Sequence, residues 1–308
     1  MNYSRRQLLQ VGGAALAPFS SLMGAKPDPN KWYFAVIADT HLIDEFYKGP
    51  ENNPEDTESI LQSAERLTAA RDAINGLQPA MERIFLVGDC FHDYPSPDID
   101  FYFQNKTRID RVKELTDGFN MPFHLGFGNH DYGVPKVSRE VSHELFRRKL
   151  GVKPYYSVEH KDWKFIHLNN FLGATWAPGP DFKKGAGSLG EEQLLWLEAE
   201  LAEGKPTFVF VHYPLPSIVQ VEKADLGLHP LLKKHSETVR HVISGHRHRW
   251  EDLKTQFGPQ HLVMAATRYD PNAWLVVEVD KKTSTHRLLN LDLVKWGTHF
   301  SSRFRFPA

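Results

Sequence analysis

Asp39-Thr40-His41, Gly88-Asp89, Gly128-Asn129-His130-Asp131, His212 and Gly245-His246-Arg247-His248 each stand at the end of an apolar run. Together they offer two Asp, one Asn and four His as metal ligands, with His130 as a further imidazole beside Asn129. Hard carboxylate and amide oxygens mixed with imidazoles suit Mn, Fe, Zn or similar ions and need no thiolate. These residues are spread over more than two hundred positions, so only folding can assemble them. Seven ligands exceed what one tetrahedral ion with an open position takes. Two ions sharing one carboxylate account for them better, and a metal pair is a device for cleaving phosphate esters.

The runs that carry these motifs are residues 32–37, 83–87, 122–127, 207–211 and 239–243. Each is short, rich in Val, Ile and Phe, and continuous rather than alternating, as expected of strands covered on both faces. In layered α/β proteins ligands bind outside the carboxyl ends of the strands, so five polar motifs at five such ends converge in space. Ile60, Ala64, Leu67, Ile74 and Leu77 fall on one helical stripe before the second run. Val137, Val141, Leu145 and Leu150 make a shorter helix after the Asn-His-Asp motif. Leu194, Leu197 and Leu201 make a third, with Ser188 and Glu191 spaced as a capping box. Further strands are expected at 155–158, 163–168, 261–265, 273–279 and 285–291, as antiparallel or mixed additions. The expected fold class is α/β, a four-layer α/β/β/α sandwich with two mixed sheets.

A chain of 308 residues, 41% of them hydrophobic, can bury a large core. It shows no repeat and no linker-like stretch, so residues 26–308 are read as one domain. The formal net charge of −1 becomes −3 once Arg5 and Arg6 are removed with the first 25 residues. The totals therefore give no electrostatic argument for nucleic acid as a partner. Ser4-Arg5-Arg6-Gln7-Leu8-Leu9 and the small-residue apolar stretch 11–23 resemble a twin-arginine export signal. Residues 1–25 are thus expected to engage the twin-arginine export machinery, with the mature protein in the periplasm. The apolar stretch is too short and glycine-rich for a stable membrane anchor. The single cysteine, Cys90, lies outside this segment and has no intramolecular disulfide partner.

The five motifs, in this order over roughly residues 32–280, resemble the calcineurin-like metallophosphoesterase superfamily. Within it the chain is most similar to the bacterial class III cyclic-nucleotide phosphodiesterases. That narrower likeness rests on Pro154-Tyr155-Tyr156-Ser157 ahead of Phe165-Ile166-His167-Leu168, and on Gly187-Ser188-Leu189 ahead of Gln193-Leu194-Leu195-Trp196-Leu197. The resemblance implies that Asp39, His41, Asp89 and His248 hold one metal. It implies that Asp89, Asn129, His212 and His246 hold the other, with Asp89 bridging. A carboxylate can offset the repulsion of two cations, and neutral imidazoles leave them enough charge to acidify a bridging water. The resulting hydroxide is the implied nucleophile, acting on a small phosphoester substrate, with diester cleavage favoured. His130 is implied as the phosphate contact or proton donor, with Asp131 orienting its imidazole.

Two departures separate the chain from purple acid phosphatases, which carry Tyr three positions after the bridging Asp and lack the first His. Here those positions are His92 and His41. The 5′-nucleotidase branch needs a large second domain for which the chain has no room. His92 and Asp93 are read as loop residues outside the ligand set, and Cys90 as a small buried side chain. Gly185 to Gly190 spells a dinucleotide string but follows a long loop rather than a strand, and is rejected as a nucleotide site. Phe46, Tyr47, Tyr94, Phe101 to Phe103, Trp176 and Tyr213 lie in the loops after the motifs, either as substrate walls or as loop cores. Alternative readings are a phosphomonoesterase on the same site, a nuclease, and a metal-binding protein without turnover, for which His130 and Asp131 would have no use.

Overall fold

A computed structural model describes residues 28–306, and the twin-arginine-like segment 1–25 lies outside the described residues. The strands are β1 (Lys31–Ile37), β2 (Arg83–Leu86), β3 (Phe123–Leu125), β4 (Tyr156–His160), β5 (Trp163–Leu168) and β6 (Thr207–Val211), followed by β7 (Val239–Ser244), β8 (Glu251–Lys254), β9 (Gln260–Val263), β10 (Trp274–Asp280) and β11 (Thr285–Leu288). They form two sheets, ordered β11-β10-β1-β2-β3 and β4-β5-β6-β7-β9-β8. In the first, β1, β2 and β3 run parallel while β10 and β11 add antiparallel. In the second, β5, β6, β7 and β9 run parallel, with β4 and β8 antiparallel at the edges. Both sheets are mixed, as the sequence predicts.

Strand alternation divides the core in two. Phe34, Val36 and Phe85 of the first sheet meet Phe165, Phe208 and Phe210 of the second. Their rings interlock closely: Phe85 stacks on Phe165 at 4.7 Å and on Phe210 at 4.8 Å. The opposite faces, Tyr33, Ala35 and Ile37 among them, pack against helix residues such as Leu67, Ala70, Ile74, Leu194 and Leu197. Both faces of β1 are therefore covered, which is why its sequence reads as an unbroken apolar run.

Two local expectations are corrected, and one strand appears that the sequence does not announce. The stripe from Ile60 to Leu77 divides into the helices Pro54–Leu61 and Ser63–Asn75, because Gln62 leaves helical geometry at φ −98°, ψ 2°. Leu77 lies past the end of the second helix yet is buried. Ser188 does not cap the helix Glu191–Ala202; Gly190, at φ 83°, occupies the cap position. The Ser188 hydroxyl serves the Thr175 amide, and the Leu189 and Gly190 amides donate to Glu222 instead. Finally, β8 has no apolar run and was not expected, since its burial alternates at an exposed sheet edge. No helix among the described residues is long and apolar enough to cross a membrane.

Candidate metal centre

Parallel pairing places the ends of β1, β2 and β3 at one edge of the first sheet, and those of β6 and β7 at one edge of the second. Asp39, Asp89, Asn129, His212 and His246 follow those ends within a few residues. The chain must turn sharply there to aim side chains inward. Asp39, His41, Asp89, His246 and His248 all adopt positive φ, between 45° and 71°. Left-handed backbone is costly for residues with a Cβ, and five instances among the candidate ligands mark a site over-determined by its surroundings. The glycines before them allow the approach: a Cβ on Gly245 would collide with the Asp39 carboxylate, and one on Gly128 with that of Asp89.

Ligand atoms of Asp39, His41, Asp89 and His248 lie within 4.8 Å of one another. The centre of the arrangement is Asp89 Oδ2, which is buried and accepts no hydrogen bond. It lies 3.3 Å from His41 Nε2 and 3.2 Å from His212 Nε2. His248 Nε2 stands 3.1 Å from His41 Nε2 and 3.3 Å from Asp39 Oδ1. On the other side His212 Nε2 faces Asn129 Oδ1 at 3.1 Å, while His212 Nδ1 donates to the Val87 carbonyl at 2.9 Å. Metal bonds of about 2.1 Å put neighbouring ligand atoms roughly 3.0–3.4 Å apart, so these spacings are those of ligands around shared cations. His246 donates its amide to Asp39 Oδ1 at 3.0 Å, and its ring centre lies 5.4 Å from that of His212.

The charged groups of the cluster act on its imidazoles in opposite directions. Burial alone would lower His212, yet the Asp89 and Asp39 carboxylates outweigh it and hold the imidazole up to about 9. Asp89 is held below the usual carboxylate range against the pull of burial by His212 and His130. His41 is driven the other way, by burial first and then by the Arg268 guanidinium, so its ring is neutral and free to bind a cation. An orphaned carboxylate oxygen between two imidazole nitrogens, with oxygen and nitrogen donors only, fits a pair of divalent ions.

The orienting role expected of Asp131 is corrected. Asp131 is fully buried and turned toward the backbone, where its carboxylate accepts from the amides of Gly128 at 2.8 Å, Cys90 at 3.0 Å and Phe91 at 3.3 Å. It ties the Asp89 loop to the Asn129 loop. The carboxylate on His130 is Asp93, whose Oδ1 lies 2.8 Å from His130 Nδ1. Burial would lower His130, but Asp89 and Asp93 raise it above its ordinary value. The His130 side chain is 23% exposed, so it stands at the rim of the cluster rather than inside it. His92, also read as a loop residue, is buried and stacks on His130 with ring centres 4.5 Å apart. Its Nδ1 lies 3.2 Å from His41 Nδ1. The one sequence signal for both was their place three and four residues after Asp89.

Arg247, the cation nearest the motifs in sequence, pairs with Glu251 at 2.5 Å. Arg268, which no motif announces, is buried and pairs with Asp56 at 3.0 Å. Of the loop aromatics, Tyr102, Trp176 and Tyr213 are fully buried and pack on other rings, which makes them loop core. Cys90 is buried as expected, with Sγ 3.1 Å from Asp131 Oδ1. A cavity of about 580 Å³ lined by Phe119, Met121, Phe123 and Tyr156 shares no residue with the cluster.

Fold and site together define a metal-dependent hydrolase. The chain belongs to the calcineurin-like phosphoesterase family, whose model matches residues 33–250. It is 26% identical over 222 residues to a probable glycerophosphodiester phosphodiesterase GpdQ of Arcobacter nitrofigilis, covering 67% of this chain and 73% of that one. It is 29% identical over 147 residues to a probable cyclic nucleotide phosphodiesterase of Synechococcus sp., covering 46% of this chain and 51% of that one. Among solved structures, a dimetal phosphatase from Danio rerio shares the fold, with a TM-score of 0.56 at 18% identity, covering 81% of this chain and 93% of that one.

Proposed function

We propose that the protein is an exported phosphodiesterase in which residues 26–308 form one catalytic domain. Asp39, His41, Asp89 and His248 would hold one cation, and Asp89, Asn129, His212 and His246 the other. Bound there, paired cations supply Lewis acidity to the phosphoryl oxygens and to a water molecule. The chain's own residues do the rest. His130 stands at the exposed rim with Nδ1 engaged by Asp93 and its amide donating to Asp89 Oδ1 at 2.8 Å. That leaves Nε2 to donate a proton to the departing ester oxygen, while Asp93 stabilises the charged ring. The Asp93–His130 contact is the observation that carries a catalytic rather than a storage reading.

Diester preference is supported by two facts. Arg247 is committed to Glu251, so the motif residues supply no free guanidinium for the second charge of a monoester. Two relatives of modest identity are described as diesterases. The class III likeness of the sequence points the same way. The test is a paired assay under identical metal loading: bis(p-nitrophenyl) phosphate is expected to show the higher kcat/KM than p-nitrophenyl phosphate. A reversal across the Mn, Fe and Zn forms would assign a phosphomonoesterase.

A further inference from the structure

His41 presents two nitrogens to two different environments. Nε2 points into the carboxylate–imidazole cluster, 3.3 Å from Asp89 Oδ2 and 3.1 Å from His248 Nε2. Nδ1 points away from it, 3.2 Å from Nδ1 of His92. A neutral imidazole that binds a cation through Nε2 carries its proton on Nδ1. His41 must then donate to His92, and His92 Nδ1 must be the bare acceptor. The His92 proton is thereby assigned to Nε2, which lies 3.4 Å from Glu51 Oε1. Glu51 Oε1 in turn accepts the Tyr47 hydroxyl at 2.6 Å. Both imidazole protons in this series point outward from the cluster, the Tyr47 hydroxyl donates back to the same Glu51 oxygen, and none of the contacts requires a second tautomer.

We infer that His92, backed by Glu51 and Tyr47, is a positioning residue that fixes the ring proton of His41 and sets the affinity of the metal His41 binds. His212 shows the same arrangement in simpler form, with Nδ1 donating to the Val87 carbonyl and Nε2 left for the cluster. His41 has no such carbonyl and uses a second imidazole. That imidazole is well anchored: the His92 amide donates to the Leu42 carbonyl at 2.9 Å, and the His92 carbonyl accepts from Arg108. Arg108 is itself clamped by Asp44 at 2.7 Å. The loop that carries Tyr47 and Glu51 is in this way connected to the metal that His41 would hold.

The inference rests on His41 being a ligand, and the experiment separates the two claims. Metal-stripped wild type and the variants His92→Asn, His92→Gln and His41→Ala are titrated with Mn(II) by calorimetry, and Co(II)-loaded samples are read by visible absorption. The Asn amide falls near the position of the imidazole Nδ1, so its oxygen can accept from His41; the longer Gln amide falls near Nε2 and cannot. His92→Gln is expected to weaken one of the two ions about 10–100-fold, the usual effect of losing an outer partner of a ligating His. The other ion should hold its affinity within about twofold, and His92→Asn should keep both near wild type with an unchanged Co(II) spectrum. Unchanged affinities in His92→Gln would overturn the inference. Equal losses in Asn and Gln would also overturn it, by making His92 a ligand in its own right. Two tight ions retained in His41→Ala would instead remove His41 from the ligand set.

Discussion

The imidazole of His130 is held by Asp93, with Nδ1 2.8 Å from Oδ1, and not by the adjacent Asp131. Two carboxylates of the site, Asp93 and Asp131, thus have separable tasks. Asp93 is 58% exposed at the side chain and serves the rim, whereas Asp131 is fully buried and serves the backbone.

If Asp93 stabilises protonated His130 during ester cleavage, its effect must grow with the basicity of the leaving group. Asp93→Asn is expected to lower kcat little for nitrophenyl diesters. For alkyl diesters the loss should approach the roughly 10²–10⁴-fold range of a positioned acid. Metal content should not change. A uniform loss across leaving groups, or loss of an ion, would contradict the assignment.

Asp131→Ala should behave in the opposite way. It removes the acceptor for three backbone amides in a buried place, and each abandoned donor costs about 1–3 kcal/mol. A drop in unfolding free energy of at least about 2 kcal/mol is expected, together with weaker metal binding, because the Asp89 and Asn129 loops are no longer tied. Denaturant unfolding of metal-free protein measures it. Wild-type stability with reduced turnover would restore a direct catalytic role to Asp131.

Just before β2, at the end of that strand opposite Asp89, Glu82 accepts from His160 Nε2 at 2.6 Å and from Lys161. Burial would raise this carboxyl, but the Lys161 and His160 contacts outweigh it and hold it below the ordinary glutamate range. A carboxyl lowered in the folded state adds stability that is complete above its unfolded pKa and is lost as pH falls through the folded one. Solvent screening at this half-exposed site holds the gain to less than about 1 kcal/mol. The melting temperature of Glu82→Gln should therefore sit slightly below wild type above about pH 5 and converge with it as pH falls through the lowered folded value. A gap that widens on acidification would reverse the sign.

The candidate metal centre was legible because its expected ligands are dictated twice, by donor chemistry and by their place after apolar strands. Asp39, Asp89, Asn129, His212 and His246 need no knowledge of side-chain direction to be grouped. Asp93 and His92 do need it. Asp93 reaches His130 from a left-handed backbone at φ 53°, which no local pattern near Phe91 announces. Asp131 was misassigned for the same reason: adjacency in sequence to His130 says nothing about which way a turn aims its carboxylate. The two sheets were read from strand hydrophobicity, and the edge strand β8 escaped because an exposed edge has no apolar signature. Ser188 has the spacing of a cap, but the left-handed Gly190 and the distant Glu222 decide that helix start. Arg268 approaches the site from the segment after β9, and only the fold brings it beside Asp56.

The central claim is that two ions share the Asp89 carboxylate. The most direct measurement is metal content per chain, by elemental analysis after dialysis, in wild type and in Asp89→Asn. Two ions per wild-type chain are expected, with most of both lost in the variant, because its amide cannot bridge two cations with the charge of a carboxylate. One tight ion per chain, retained at the same occupancy in Asp89→Asn, would contradict it.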